Sequence, residues 1–214
     1  MSSDHYFSAR PQSEMVIRTL PVTLAGRDVE VVTAGGVFSP GALDVGTRVL
    51  LGSVPPPPPG GHLLDLGCGW GPIALTLALE SPRATVWAVD VNERALELTR
   101  RNASTLGLTN VNAVRPEDVP DDVTFRTIWS NPPIRVGKNE LHAMLRGWLP
   151  RLADASDAWL VVARNLGADS LQRWIDAELD DLRAQRAATS KGFRVLRVRR
   201  RGAITGAIPV IEAD

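Results

Sequence analysis

His62-Leu63-Leu64-Asp65-Leu66-Gly67-Cys68-Gly69-Trp70-Gly71, continued by Pro72 to Glu80 and then by Ala84-Thr85-Val86-Trp87-Ala88-Val89-Asp90, is the stretch that decides the fold. His62 to Leu66 is an apolar run too short for a helix and reads as a buried strand. Three alternate glycines then break it, and Ile73 to Glu80 reads as a helix. Ala84 to Val89 is a second strand, ending on an acid. A strand, a glycine turn, a helix and another strand make a right-handed crossover between parallel neighbours.

The same alternation continues outward. Asn92 to Leu106 predicts a helix, Val111 to Val114 a strand, Phe125 to Ser130 a strand, Lys138 to Leu149 a helix and Ala158 to Ala163 a strand. Asp169 to Leu182 carries Leu171, Trp174, Ile175 and Leu179 on one helical stripe. Ala184 to Thr189 and Phe193 to Arg200 close the chain as strands. This order predicts an α/β fold, a mostly parallel sheet with helices on both faces. Upstream, residues 18–33 predict a hairpin turning at Ala25 to Asp28, and Ala42 to Leu51 a helix. Pro55 to Pro59 then form an uninterrupted proline run, a stiff spacer of about 15 Å. The expected division is residues 1–60 as an N-terminal extension packing on the substrate side and residues 61–214 as the catalytic domain.

The 214 residues suit one core with a modest extension, and 24 basic against 24 acidic side chains give a formal net charge of +0. Overall charge therefore argues for no polyanionic partner. Cys68 is the only cysteine, which excludes an intrachain disulfide and suits a reducing compartment. The polar N-terminus lacks a secretion pattern and no apolar run has spanning length, so a cytoplasmic protein without membrane contact is expected. His5, His62 and His142 are scattered, and no metal site is legible.

Gly67, Gly69 and Gly71 let a ligand approach bare backbone at the start of a helix, whose amides face it. In nucleotide-binding folds an acid at the end of the second strand takes ribose hydroxyls, and Asp90, with Val91 beside it, holds that position. A dinucleotide site wants a further glycine where this chain has Pro72. The spacing, preceded by Asp65, instead resembles motif I of methyltransferases that use S-adenosylmethionine (SAM). There Asp65 helps orient the ligand's cationic amino-acid end, and Cys68 lies within the binding loop. Asp118, with Glu117 as its neighbour and competitor, resembles the motif III contact to the adenine end. Its plain alternative is a solvated turn.

Ser130-Asn131-Pro132-Pro133-Ile134 ends the fourth strand of the alternating series, where ligands bind in open α/β sheets. Pro132 and Pro133 fix φ and remove two donors, leaving a stiff corner rich in acceptors. The Asn131 side-chain oxygen and the Pro132 carbonyl can take the two hydrogens of a planar amine. That grip favours a pyramidal nitrogen with its lone pair aimed at a methyl donor, and Asn131 is also expected among the cofactor contacts. Alone, such a tripeptide is usually a turn; its place beyond a matching glycine loop and acid favours the catalytic reading.

Four stretches together resemble the small-domain methyltransferases of the ribosomal RNA small-subunit methyltransferase C type. They are Gly36 to Ser39 with Leu43 to Thr47, Asp65 to Gly71, Asn131 to Lys138, and Leu166 to Leu171. The resemblance implies a Rossmann-like class I fold with a seven-stranded sheet whose last strand is antiparallel. It implies SAM-dependent methylation of guanine N2 in 16S ribosomal RNA, with that RNA or the small subunit as partner. Larger members carry a duplicated second domain that these 214 residues do not include. Many place an aromatic where this chain has Ile134, so stacking on the base falls to Phe38, Tyr6 or Phe7. Phe38, Ile134, Arg135 and Lys138 are the expected substrate contacts.

Other readings compete. Adenine N6 or a glutamine amide suits the same corner chemistry, and a non-catalytic RNA-binding or ribosome-assembly protein on a SAM fold is the rival from another class. Cysteine-dependent C5 methylation is disfavoured, since Cys68 stands inside the loop as a small packing residue. Lys191, Arg194, Arg197, Arg199, Arg200 and Arg201 read equally as an RNA-facing strand or a charged edge that discourages aggregation. Trp159 and Trp174 read as core, and Trp70 as either the pocket's border or a cover for the first helix.

Overall fold

The computed structural model describes residues 14–201. Tyr6 and Phe7 lie outside the described residues, as does the side chain of Arg135. The main sheet has seven strands: β3 (Gly60–Leu66), β4 (Arg83–Val89), β5 (Val111–Val114), β6 (Phe125–Ser130), β7 (Leu152–Ala163), β8 (Leu182–Ser190) and β9 (Phe193–Arg200). Their order is β5-β4-β3-β6-β7-β9-β8, preceded in the chain by a separate antiparallel pair, β1 (Ile17–Leu24) and β2 (Arg27–Ala34). All pairings from β5 to β7 are parallel, whereas β9 runs antiparallel to both β7 and β8. The expected seven-stranded, mostly parallel sheet with an antiparallel last strand is present.

Alternation along the strands divides the core between the two faces. Leu63, Trp129, Trp159, Val161 and Val195 pack with α1 (Val45–Leu51), α2 (Pro72–Glu80) and α3 (Glu93–Thr105). Leu64, Ile128, Leu160, Val162 and Leu196 face α4 (Lys138–Trp148) and α5 (Ala168–Glu178) on the other side. Helix α2 is buried almost all round, from Ile73 to Ala78, because the β1–β2 hairpin covers its outer side. Leu24, Val31 and Ala34 of the hairpin pack with Trp70, Leu75 and Leu98. Asn102 of α3 secures that layer: its Oδ1 accepts from Val32 N (2.6 Å) and its Nδ2 donates to the carbonyls of Val32 (3.0 Å) and Trp70 (2.9 Å).

Several boundaries differ from the sequence reading. Strand β7 begins at Leu152, six residues before the apolar run Ala158 to Ala163, because its polar first half pairs with the start of β6 and the end of β9. Helix α5 stops at Glu178, and Leu179 takes an extended φ of −123°. The first helix starts only after Asp44, whose carboxylate caps it by accepting from Thr47 N at 3.0 Å. Pro55 to Pro59 connect α1 to β3 without regular structure, and the Pro58 carbonyl accepts from Ser81 Oγ at 2.8 Å. Among the described residues no helix is long and apolar enough to cross a membrane, and no group of three His, Cys, Asp or Glu side chains gathers as for a metal.

Candidate active site

The strand order reverses direction at β3, with β4 on one side and β6 on the other, and a cleft of about 510 Å³ opens at the carboxyl ends of these strands. Its wall includes Gly67 and Gly69 after β3, Asp90 and Val91 after β4, Pro116, Asn131 to Ile134 after β6, and Phe38 from the segment after β2. Five chain segments far apart in sequence are thus brought to one opening.

The glycine loop is held open by backbone geometry. Gly67, Gly69 and Gly71 have φ of 81°, 57° and 97°. A Cβ on Gly67 would meet nothing within 4 Å, so that face is free for a ligand, whereas one on Gly71 would press to 2.9 Å from Thr99 Oγ1. The two glycines are therefore required for different reasons, close approach in one case and helix packing in the other. Asp90 is fixed by the loop it serves. Its Oδ2 accepts from Gly69 N (3.0 Å) and its Oδ1 from Asn92 N (2.9 Å), leaving the outer lone pairs of a half-buried carboxylate toward the cleft. Burial raises the Asp90 pKa and these backbone bonds oppose the rise. Val91 is 43% exposed beside it.

Asp65 is placed differently from the sequence expectation. It is fully buried beneath the loop, outside the cleft wall, and its Oδ2 accepts from Ala74 N in the first turn of α2 at 2.9 Å. Its Oδ1 is buried without a hydrogen-bond partner, and burial, with the charge of Asp90 adding, pushes its pKa up to about 8 against the Ala74 bond. Cys68 is buried too, with Sγ 3.6 Å from Thr99 Oγ1, and its thiol pKa is raised by burial and by the two acids. Such a thiol is a poor nucleophile, in keeping with a packing role. Gly71 stands behind the loop on Thr99. Asp118 lies in a single 3-10 turn, Pro116–Asp118, and is exposed outside the wall, which receives Pro116 instead. Lys138 is exposed at the start of α4 and also falls outside the wall.

The Asn131 corner carries the polar chemistry. Asn131 Nδ2 donates to Asp44 Oδ2 (2.8 Å) and to Thr47 Oγ1 (3.0 Å), which uses both amide hydrogens. A carboxylate only accepts, so these partners settle which end of the amide is nitrogen, and Oδ1 is the end left to accept. The Pro132 carbonyl accepts from Ile134 N at 2.9 Å and retains its second lone pair. Ser130 Oγ donates to the Leu66 carbonyl (2.6 Å), tying the corner to the end of β3. Asp44 and Thr47 are absent from the site residues expected from sequence. The stretch Leu43 to Thr47 marks them only as part of a resemblance, and nothing local says that they meet a residue more than eighty positions away.

The segment from Gly35 to Ser39 reaches the cleft through α3 and Trp70. Arg94 Nη1 donates to the Gly35 carbonyl (2.6 Å), Asn92 Nδ2 to the Gly36 carbonyl (2.8 Å) and Trp70 Nε1 to the Ser39 carbonyl (3.3 Å). Phe38 is thereby held next to Gly69, 38% exposed at the cleft. Trp70 both borders this segment and covers α2. The arginines of β9 are engaged elsewhere. Arg197 makes two 2.8 Å bonds to Asp157, Arg199 pairs with Asp157, Arg200 with Asp154, and Arg194 with Asp169. Because β9 is antiparallel, Arg197 to Arg200 lie toward the end of the sheet away from the cleft. The charged-edge expectation does not hold, since β9 is paired on both sides, by β7 and β8; ion pairs with Asp154 and Asp157 account for Arg197, Arg199 and Arg200 instead.

A family model described as the methyltransferase small domain matches residues 28–197. The chain belongs to the methyltransferase small-domain family. YbxB of Bacillus subtilis, an uncharacterized protein, is 33% identical to this small-domain methyltransferase over 201 residues, covering 92% of the chain and 99% of the relative. Ribosomal RNA small subunit methyltransferase C of Aeromonas hydrophila is 38% identical over 129 residues, covering 59% of the chain and 36% of the relative. Among solved structures, the 16S rRNA N2 methyltransferase RsmC of T. thermophilus, in complex with AdoMet and guanosine, superposes with a TM-score of 0.76 at 22% identity. That match covers 89% of the chain and 52% of the larger protein. The chain thus spans almost all of YbxB and about a third of the Aeromonas enzyme.

Proposed function

We propose that the protein transfers a methyl group from SAM to an exocyclic amine, with guanine N2 of 16S ribosomal RNA as the target, in the cytoplasm. The observation that carries this reading is the Asn131 amide, turned by Asp44 and Thr47 so that an acceptor oxygen is offered in the same cleft as the glycine loop and Asp90. The residues present suit SAM. Gly67 leaves room for a ligand on bare backbone, the anchored Asp90 has lone pairs for a ribose diol, and Val91 with Pro116 gives apolar cover for a flat ring. When bound, SAM supplies an electrophilic methyl on a sulfonium.

The chain's own part is to hold the nucleophile. Asn131 Oδ1 and the free lone pair of the Pro132 carbonyl accept the two N–H bonds of the amine. Both point at the nitrogen on which positive charge grows, so they stabilise that charge more than the neutral ground state. The rigid Pro132-Pro133 bend fixes their separation in advance. The proton leaves after transfer, from a nitrogen already made acidic, so no strong base is needed at the corner. Phe38, at the mouth, is the stacking surface in place of an aromatic at Ile134, which also lines the cleft. The first 60 residues contribute Phe38, Asp44 and Thr47 and so act on the substrate side. A flipped or unpaired base is the natural substrate, since a paired exocyclic amine is not accessible.

Labelled-methyl transfer from SAM to deproteinised RNA and to isolated small subunits, followed by nucleoside identification, tests the reading. N2-methylguanosine is the expected product. Label on adenine N6 or on protein glutamine would replace the target, and SAM binding without transfer to any acceptor would leave a non-catalytic binding protein.

A further inference from the structure

We propose that Asp44 and Thr47 are positioning residues that lock the Asn131 amide with Oδ1 toward the acceptor, making the site selective for an N–H donor. This rests on the reading of Asn131 as the group that holds the amine. An asparagine amide is nearly symmetric in shape, and a half-turn about Cβ–Cγ exchanges its oxygen for NH2. Unconstrained, the corner would offer a donor as readily as an acceptor, and a donor would repel the amine it has to hold.

The Asp44 carboxylate removes that ambiguity, and the Thr47 hydroxyl, which can donate or accept, completes the pairing once the orientation is set. Asp44 Oδ2 stands 2.8 Å from Nδ2, and a flipped amide would set oxygen against carboxylate oxygen. Thr47 Oγ1, on a side chain almost fully buried, takes the second hydrogen at 3.0 Å. Asp44 is itself immobilised, since the same Oδ2 caps α1 by accepting from Thr47 N at 3.0 Å. Gly46 makes the arrangement possible. A Cβ there would lie 2.9 Å from both Asp44 Oδ2 and Phe193 Cε1, so a side chain would displace the carboxylate from its place. The pattern Asp44-x-Gly46-Thr47 is therefore one device, delivered by α1 to the end of β6.

The test uses the full chain with Asp44→Ser, which keeps a good helix-capping residue but carries no carboxylate to reach Asn131, Thr47→Val, which keeps shape but removes the acceptor, and Thr47→Ser, which restores it. SAM affinity by titration and single-turnover transfer to RNA are measured for each, together with the Asn131 side-chain NH2 signals in protein labelled with ¹⁵N-asparagine. Each of the first two substitutions is expected to slow transfer about tenfold, and both together about 100-fold, with SAM affinity within about twofold of wild type. Thr47→Ser should recover most of the rate. The Asn131 NH2 protons should exchange slowly in the wild type and quickly in Asp44→Ser, whether or not SAM is present. Undiminished transfer in the double variant, or SAM affinity lost in step with rate, overturns the proposal. Should the wild type methylate no nucleic acid, the functional reading fails while the exchange measurement still decides the lock. Fast exchange already in the wild type sinks it outright.

Discussion

Asp65 illustrates how one buried side chain ties the stability of the fold to pH. Its carboxyl is fully buried, with one oxygen on Ala74 N and the other unpaired, and its pKa lies near 8 rather than the ordinary 3.8. Between those values the unfolded chain has lost the proton that the folded chain keeps. Folding therefore takes up a proton, and stability falls as pH rises from about 4 to about 8, by up to ~1.4 kcal/mol per pH unit. Below that window both states are protonated and the penalty vanishes. Urea unfolding across this range should show the decline in ligand-free protein and a much shallower one in Asp65→Asn. Parallel profiles for the two proteins would mean that Asp65 is ionised in the fold. At the cleft mouth, Phe38→Ala should raise the KM for the RNA acceptor roughly tenfold, as expected for losing one stacked base. An unchanged acceptor KM would move the stacking role elsewhere. SAM affinity should change far less.

Among the elements, the outer hairpin has the least obvious attachment. Its β2 backbone docks on a single buried side chain, Asn102, which satisfies both the N–H and the C=O of Val32 and the carbonyl of Trp70. Asn102→Ala strands these groups, each costing about 1–3 kcal/mol when buried and unpaired. A loss of roughly 3 kcal/mol in unfolding free energy is expected. A loss under about 1 kcal/mol would show that water replaces the asparagine. Element type was legible wherever apolar period and punctuation agreed, as in β3, β4, α3 and the hairpin at Ala25-Gly26. It was less so where partners decide. The first half of β7 is polar and follows its neighbours, and the start of α1 depends on the Asp44 cap. The arginines of β9 look alike in sequence, and only the antiparallel direction of that strand assigns Arg197, Arg199 and Arg200 to acids at the far end of the sheet.

For the whole molecule, the parallel sheet determines where chemistry can occur. The reversal of strand order at β3 opens one cleft, and motifs at the ends of β3, β4 and β6 converge there. The glycine spacing and the diproline bend are legible in the sequence because each shapes the backbone within a few residues, whereas the orientation of the Asn131 amide is not. Motif position alone points Asp65 and Asp118 at the ligand, yet burial beneath the glycine loop and exposure on a turn keep both off the cleft wall. Asp44 and Thr47 could not be read locally, since their meaning depends on a contact across the fold. The central claim is that Asn131 holds the amine and does not hold the methyl donor. Its most direct test pairs SAM titration with single-turnover methyl transfer for wild type and Asn131→Ala. SAM affinity should stay near that of the wild type while transfer falls ~10²–10³-fold, the usual loss on removing a preorganised polar contact to developing charge. Transfer at the wild-type rate in Asn131→Ala would contradict the account.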